Sequence, residues 1–234
     1  MQSSSAPVPD VSIILPCAGF GTRFEAPYSK ELHCLAPGIT VLDRSLEAVV
    51  ELAKSGLSVR LVVVFRTHKL DTVSYLARYA GLFQIVFVYQ DESFAPDLDG
   101  AIRSGLPMTQ GPVVLVLPDI VISGAGSAGS LLAALRHTEV AGWSVVAAEE
   151  RDPDMLRQMG ALALAEEGGV MTVGAATDKP ADPSGYNAFW GMVAVTAEEA
   201  HRLPDVVGKG ADSPLSGAVA LLVDSIVNYN TVAG

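Results

Sequence analysis

The chain has 234 residues, half of them hydrophobic and only 18% charged, which excludes a disordered polypeptide and is enough for one large packed domain. A formal net charge of -11 excludes a general nucleic-acid binder, so basic residues that matter must form local pockets for small anions. Apolar runs such as 113–117 are too short to span a bilayer and are broken by proline and aspartate, so a soluble protein with no membrane partner is expected.

Residues 1–10, MQSSSAPVPD, lack a basic start and an apolar core and read as a flexible lead rather than a signal peptide. Val11 to Leu15 is an apolar strand that breaks at Pro16 into the loop Ala18-Gly19-Phe20-Gly21-Thr22-Arg23, with Lys30 shortly after. Glycines let backbone N–H groups approach oxyanions closely, and an arginine and a lysine neutralise separate phosphoryl groups, so the order suits a triphosphate. No Gly-Lys-Ser/Thr closes the loop and the third glycine of the dinucleotide fingerprint is missing, which excludes both of those motifs. Cys17 and Cys34 flank the loop and read as two unremarkable buried thiols of an intracellular, cytoplasmic enzyme rather than a redox pair.

Thr40 and Asp43 have the spacing of a capping box and open a helix with apolar positions Leu42, Leu46, Val49, Val50 and Ala53, ended by Gly56. Val59 to Phe65 is a β-branched run suited to a doubly buried strand, and Thr67 caps a helix running toward Tyr79, with Gly81 as its stop. Further strands are expected at Ile85–Tyr89, Val113–Leu117 and Trp143–Ala148, with helical segments between them. The alternation predicts an α/β fold with a doubly wound, mostly parallel, Rossmann-like sheet and ligands at the carboxyl ends of its strands. After residue 150 the rhythm turns β-rich. Ala161–Glu166 and Val170–Val173 flank Glu167-Gly168-Gly169 as a hairpin, Ala188–Val195 is another strand, and Thr196 with Glu199 caps a short helix. One domain over 11–234 is expected, divided into a nucleotide half (11–149), a substrate-facing half (150–195) and C-terminal helices (196–234).

The string Ala-Gly-Phe-Gly-Thr-Arg, six residues, then Lys30-Glu31-Leu32-His33-x-Leu35 resembles the sugar-phosphate nucleotidylyltransferases, the nucleoside-diphospho-sugar pyrophosphorylases. The spacing of Arg23 and Lys30 is most similar to N-acetylglucosamine-1-phosphate uridylyltransferase. The resemblance covers about residues 11 to 195 and implies a nucleoside triphosphate and a sugar 1-phosphate as partners, Mg²⁺ as cofactor, and an enzyme that is free to self-associate. It implies Arg23 and Lys30 as catalytic cations, and Ala18, Gly19, Phe20, Gly21 and Thr22 as the nucleotide loop. Gln90, directly after the third strand, and Gly100, at the head of a helix, are implied as readers of the base. Asp119 is implied as the Mg²⁺-binding catalytic aspartate, although Pro118 stands where the family usually has glycine. Met159-Gly160, Asp178-Lys179-Pro180 and Gly191 resemble the segments that hold the sugar and its phosphate; Asn187 is a further sugar-hydroxyl candidate. Asp178 is one methylene shorter than the usual glutamate, and Trp190 stands where a small or hydroxylated residue is expected.

The family's second metal aspartate, in a late Trp-x-Asp segment, has no counterpart after Ala200: Asp224 lies in an apolar helical pattern, and Asn228 and Asn230 are neutral ligands. Two alternatives stand beside the main reading: a cytidylyltransferase for a polyol or choline phosphate, which the short loop and short chain permit, and a catalytically weak regulatory homologue, motivated by the missing second carboxylate. Asp97-Leu98-Asp99 also mimics the Asp-x-Asp of metal-dependent glycosyltransferases, a chemistry in which the first loop has no place.

Overall fold

The computed structural model describes residues 8–21, 24, 26–124, 126–127, 129–207 and 213–229. Strand β1 (Val11–Pro16) is buried along its whole length. After the loop come a small hairpin, β2 (Cys34–Ala36) and β3 (Ile39–Thr40), and then α1 (Val41–Ser45) and α2 (Glu47–Lys54). The expected capping box is present: the Asp43 amide donates to Thr40 Oγ1 and the Thr40 amide to Asp43 Oδ2. The single helix expected here is interrupted at Leu46, which ends α1 and starts α2.

Next are β4 (Val59–Phe65), α3 (Leu70–Leu76), β5 (Gln84–Tyr89), α4 (Leu98–Gly105), β6 (Val113–Val116) and β7 (Ile120–Ser123). Thr67 is not the cap expected of it. Its hydroxyl meets Tyr89, and Thr67–Lys69 forms a 3₁₀ turn ahead of α3. Helix α5 (Ser130–Ala141), β8 (Trp143–Glu149), α6 (Pro153–Leu156), β9 (Gly160–Glu167), β10 (Val170–Asp178) and β11 (Ala188–Val195) follow. Gly168 and Gly169 both take positive φ (60° and 81°), as a two-residue turn matched to strand twist requires, so the β9–β10 hairpin forms where expected.

The C-terminal part departs from the expected helices. Ala200–Val207 is 3₁₀, with Pro204 inside it, and the chain then adds β12 (Val219–Leu222) and β13 (Ser225–Asn228), with Asp224 in the turn between them. Proline removes the donor an α-helix needs, and apolar runs of four residues carry no periodicity that separates helix from strand, so pairing partners decide.

The main sheet has the order β5-β4-β1-β6-β11-β8-β12-β10-β9. Its first four strands are parallel, whereas β11 runs antiparallel to both β6 and β8. Strand β9 also pairs with β11 at Ala188 and Phe189, so the second half curls back on itself. One core cluster joins residues of α1, α2, α3 and α5 to one face of the sheet, and another joins α4 and 200–207 to the opposite face. Ile13, Leu15, Leu61 and Leu115 are fully buried there, each worth about 1.5–3 kcal/mol of transfer free energy. The chain leaves β1 for helices on one face and reaches β6 from α4 on the other, so the topological switch lies between β1 and β6 and opens a crevice at their carboxyl ends. Among the described residues no helix is long and apolar enough to cross a membrane.

Candidate active site

That crevice is a cavity of about 350 Å³ lined by Gly19, Lys30, Asp97, Asp119 and Lys179, with Glu31 and Lys69 in its wall. A smaller recess of about 140 Å³ adjoins it and shares Asp119 and Lys179, adding Gly160, Asp178, Trp190 and Asn228. Three elements distant in sequence therefore meet: the segment after β1, the β6–β7 turn and the end of β10.

After β1, the Cys17 amide donates to Val64 O (2.7 Å), which carries the chain onto the edge of β4. Ala18 is buried, while Gly19 has open space where a side chain would stand and Gly21 takes φ 62°. Phe20 is exposed at the loop tip but not loose: its ring stacks on His68 (centroids 5.2 Å apart), and the Arg66 guanidinium sits 5.2 Å from its centroid. Thr22 and Arg23 lie outside the described residues.

Lys30 begins a 3₁₀ turn, Lys30–Leu32, and its amine ion-pairs with Asp119. Asp119 follows Leu117-Pro118 in the turn between β6 and β7. Its carbonyl accepts from the Tyr229 amide (2.9 Å), and the Pro118 carbonyl accepts from Ser45 Oγ (3.1 Å). A carboxylate is thereby fixed at the carboxyl edge of a buried strand.

On the other side, Lys179 is the one non-glycine residue with positive φ (48°) among the described residues. A lysine in this left-handed conformation costs of order 1 kcal/mol and persists only where its surroundings hold it. Here its amide donates to Met159 O (2.9 Å), and its amine stands 3.6 Å from Asp178 Oδ2. Gly160 is explained by Trp190: a Cβ at 160 would lie 2.0 Å from the indole nitrogen, so the glycine makes room for the ring that walls the recess.

Several site candidates serve other ends. Gln90 is buried, its amide nitrogen donating to Ala95 O (2.8 Å) and its oxygen accepting from Arg66 Nε (3.1 Å), so neither group is presented to a base edge. Gly100 makes that arrangement possible, since a Cβ there would lie 2.0 Å from Ala95 O and 2.8 Å from the Gln90 nitrogen. Asn187 pairs with the backbone of Leu164 through both amide groups (2.7 and 3.1 Å), extending β9 rather than lining either cavity. Asp97, although it lines the crevice, caps α4 by accepting from the Gly100 amide (3.0 Å), and Asp99 pairs with Arg103 (2.8 Å), so each carboxylate of the Asp-x-Asp string has a partner within α4.

Two features escaped the sequence. Glu31 and Lys69 form a buried ion pair beside Lys30, with nothing in the charge pattern to mark them. Asn228, at the end of β13 and paired in register with Ile120, brings a neutral side chain to the recess that Asp119 lines. Its Oδ1 is buried without a hydrogen-bond partner, and its Nδ2 lies 3.2 Å from Met159 Sδ. A buried orphan carbonyl oxygen costs about 1–3 kcal/mol, and beside a carboxylate it is the donor chemistry a hard divalent cation takes. Asp119 and Asn228 therefore fit Mg²⁺; no cluster of three His, Cys, Asp or Glu side chains occurs among the described residues. Of the two thiols expected to be buried, Cys34 is exposed at the start of the short strand β2, whereas burial, with the carboxylates of Glu31 and Asp119 adding to it against Lys69 and Lys30, raises the Cys17 thiol well above its ordinary pKa and disfavours its thiolate.

No protein-family model and no curated protein matches the chain. Solved structures do. A UDP-glucose pyrophosphorylase complexed with UDP-glucose superposes with a TM-score of 0.73 at 17% identity, covering 97% of this chain and 95% of that one. The UDP-glucose pyrophosphorylase from Acinetobacter baumannii gives 0.68 at 17% identity, covering 96% and 90%. A putative glucose-1-phosphate thymidylyltransferase from Bacillus anthracis in complex with a sucrose gives 0.70 at 14% identity, covering 94% and 90%. At these identities the likeness establishes the fold, a Rossmann-like α/β architecture shared with nucleotidyltransferases.

Proposed function

We propose that the chain is a nucleotidyltransferase that joins a sugar 1-phosphate to a nucleoside triphosphate, releasing pyrophosphate. The observation that carries this reading is the convergence of Lys30, Asp119 and Lys179 on one crevice at the switch point of the sheet. The neighbours support it, since one was solved with UTP and another with UDP-glucose. The phosphate oxyanion of the sugar phosphate is already a nucleophile, so no general base is needed. It attacks the α-phosphorus in line, the bond from that phosphorus to the bridging oxygen breaks, and pyrophosphate leaves with the electron pair. Lys30 and, by its motif, Arg23 neutralise the triphosphate, while Lys179 holds the incoming phosphate on the opposite side. Mg²⁺, held through Asp119 and Asn228, would add charge neutralisation between the two anions. By the motif, the loop that begins at Ala18 and Gly19 meets the triphosphate, and Asp178 faces the sugar.

Asn228 supplies a neutral oxygen where the late aspartate is missing, which supports an active enzyme over a catalytically weak homologue; the latter would bind nucleotide without releasing pyrophosphate. Trp190 favours one second reading. Its ring crowds the recess over Gly160, which suits a smaller polyol or choline phosphate and hence a cytidylyltransferase. A pyrophosphate-release screen decides. Five nucleoside triphosphates are crossed with a panel including glucose 1-phosphate, N-acetylglucosamine 1-phosphate, a polyol phosphate and choline phosphate, all with Mg²⁺. Release that requires both a triphosphate and a sugar 1-phosphate is expected. Release only with choline or polyol phosphate selects the second reading, and no release with any pair contradicts both.

A further inference from the structure

The 3₁₀ turn that presents Lys30 is a single turn, closed by Leu32 N to Ser29 O (2.9 Å) and His33 N to Lys30 O (3.0 Å), and such turns do not hold their own shape. Its stiffness comes from the start of α3, which grips the residue on each side of Lys30. Before it, Ser29 donates its amide and hydroxyl to the two oxygens of Asp71 (2.9 and 2.7 Å). After it, the Glu31 carboxylate accepts from the Lys69 amine (2.9 and 3.1 Å) and from Thr72 Oγ1 (2.8 Å). Glu31 and Lys69 are 1% and 3% exposed, so both charges have been taken out of water. A buried ion pair gives little net stability compared with apolar residues of the same volume; its best-attested use is to fix a register. The register fixed here is that of Lys30.

We propose that Glu31 and Lys69 are positioning residues: the buried pair, with Thr72 and the Asp71 clasp, locks the backbone on both sides of Lys30 so that its amine enters the crevice ready for phosphate. This rests on the reading of Lys30 as a phosphate-binding cation. A competing role is that Lys69, which also lines the crevice, binds phosphate itself and is restrained by Glu31. The two roles give Glu31→Gln opposite signs. Removing an anion near the crevice favours phosphate on electrostatic grounds alone, and would release Lys69; loss of positioning weakens binding despite both.

The test is calorimetric titration of the full chain with inorganic tripolyphosphate as probe, with circular dichroism confirming each fold. Glu31→Gln and Thr72→Val are each expected to weaken binding by about 10-fold, as for loss of one charge-assisted contact, and Thr72→Ser to restore it. Because Glu31 acts through Lys30, Lys30→Ala with Glu31→Gln should bind no more weakly than Lys30→Ala alone. Tighter binding by Glu31→Gln, an unchanged affinity, or additive losses in the double variant would overturn the proposal while leaving the crevice a phosphate site. If wild type does not bind tripolyphosphate at all, the reading beneath it falls as well. Should Glu31→Gln not fold, Asp71→Asn, on the exposed half of the clasp, enters the same cycle with the same expectation.

Discussion

The two cations that flank Asp119 are held in contrasting ways. Lys30 is mostly enclosed, with a side chain 19% exposed, and stands on a turn gripped on both sides by Asp71 of α3 and by Lys69 just ahead of it. Lys179 is 57% exposed at its side chain, and its placement comes from one left-handed backbone conformation, one hydrogen bond from its amide to Met159 O and an ion pair with the neighbouring Asp178. The side assigned to the triphosphate is built for precision, whereas the side assigned to the second phosphate is open. Fixed positioning matters most where charge is redistributed during reaction, and an exposed lysine contributes mainly to capture.

That contrast can be broken by substitution. Lys30→Ala and Arg23→Ala are each expected to lower kcat by about 10²-fold or more, since both lose contacts to phosphoryl oxygens in the transition state. Steady-state pyrophosphate release checks this, and near-normal kcat in a folded variant removes the assignment of the loop. Lys179→Ala should act more weakly, raising KM for the second phosphate by about 10-fold with little change in triphosphate affinity. If calorimetry shows instead that triphosphate binding collapses, the lysine belongs to the other substrate.

The smallest effect lies away from the crevice, where Asp43 ties α1 to α3 and the 3₁₀ turn 77–79. Burial pushes its carboxyl pKa up, but hydrogen bonds from Tyr75, Tyr79 and Thr40 outweigh burial and hold it below the ordinary value. A depressed folded pKa gives stability that is present above the unfolded value of about 3.9 and is lost as pH falls through the folded value. Asp43→Asn should therefore unfold in less denaturant at pH 7, with the gap to wild type narrowing below pH about 4. A gap independent of pH would mean that packing, not charge, is responsible.

The first half of the chain was largely legible because its signals are local. The Thr40–Asp43 box, the β-branched run of β4 and the glycine loop after β1 each carry their physics within a few residues. Lys30, Asp119 and Lys179 could be named because the short motifs that carry them resemble those of the sugar-phosphate nucleotidylyltransferases, and ligands of such a fold bind at strand ends. Burial and partner choice were not legible. Nothing local marks Glu31 and Lys69 as partners before the fold brings them together, and Gln90 read as a base reader until Arg66 and Ala95 occupied its amide. The C-terminal strands exist because β8 and β7 offer β12 and β13 free edges, information absent from the sequence of 219–228 itself. Asn228 was set aside as neutral, yet its register opposite Ile120 brings it to the same recess as Asp119.

Both cavities share Asp119, so the account turns on it most directly. Asp119→Asn keeps the shape and removes the charge that meets Lys30 and would meet a cation. Pyrophosphate release is measured for both proteins against Mg²⁺ concentration, with the fold confirmed by circular dichroism. The account predicts that the variant loses Mg²⁺-dependent turnover by about 10²-fold or more at every metal concentration. Equal rates with equal metal dependence would show Asp119 to be a turn residue and would contradict the shared crevice as the place of phosphoryl transfer.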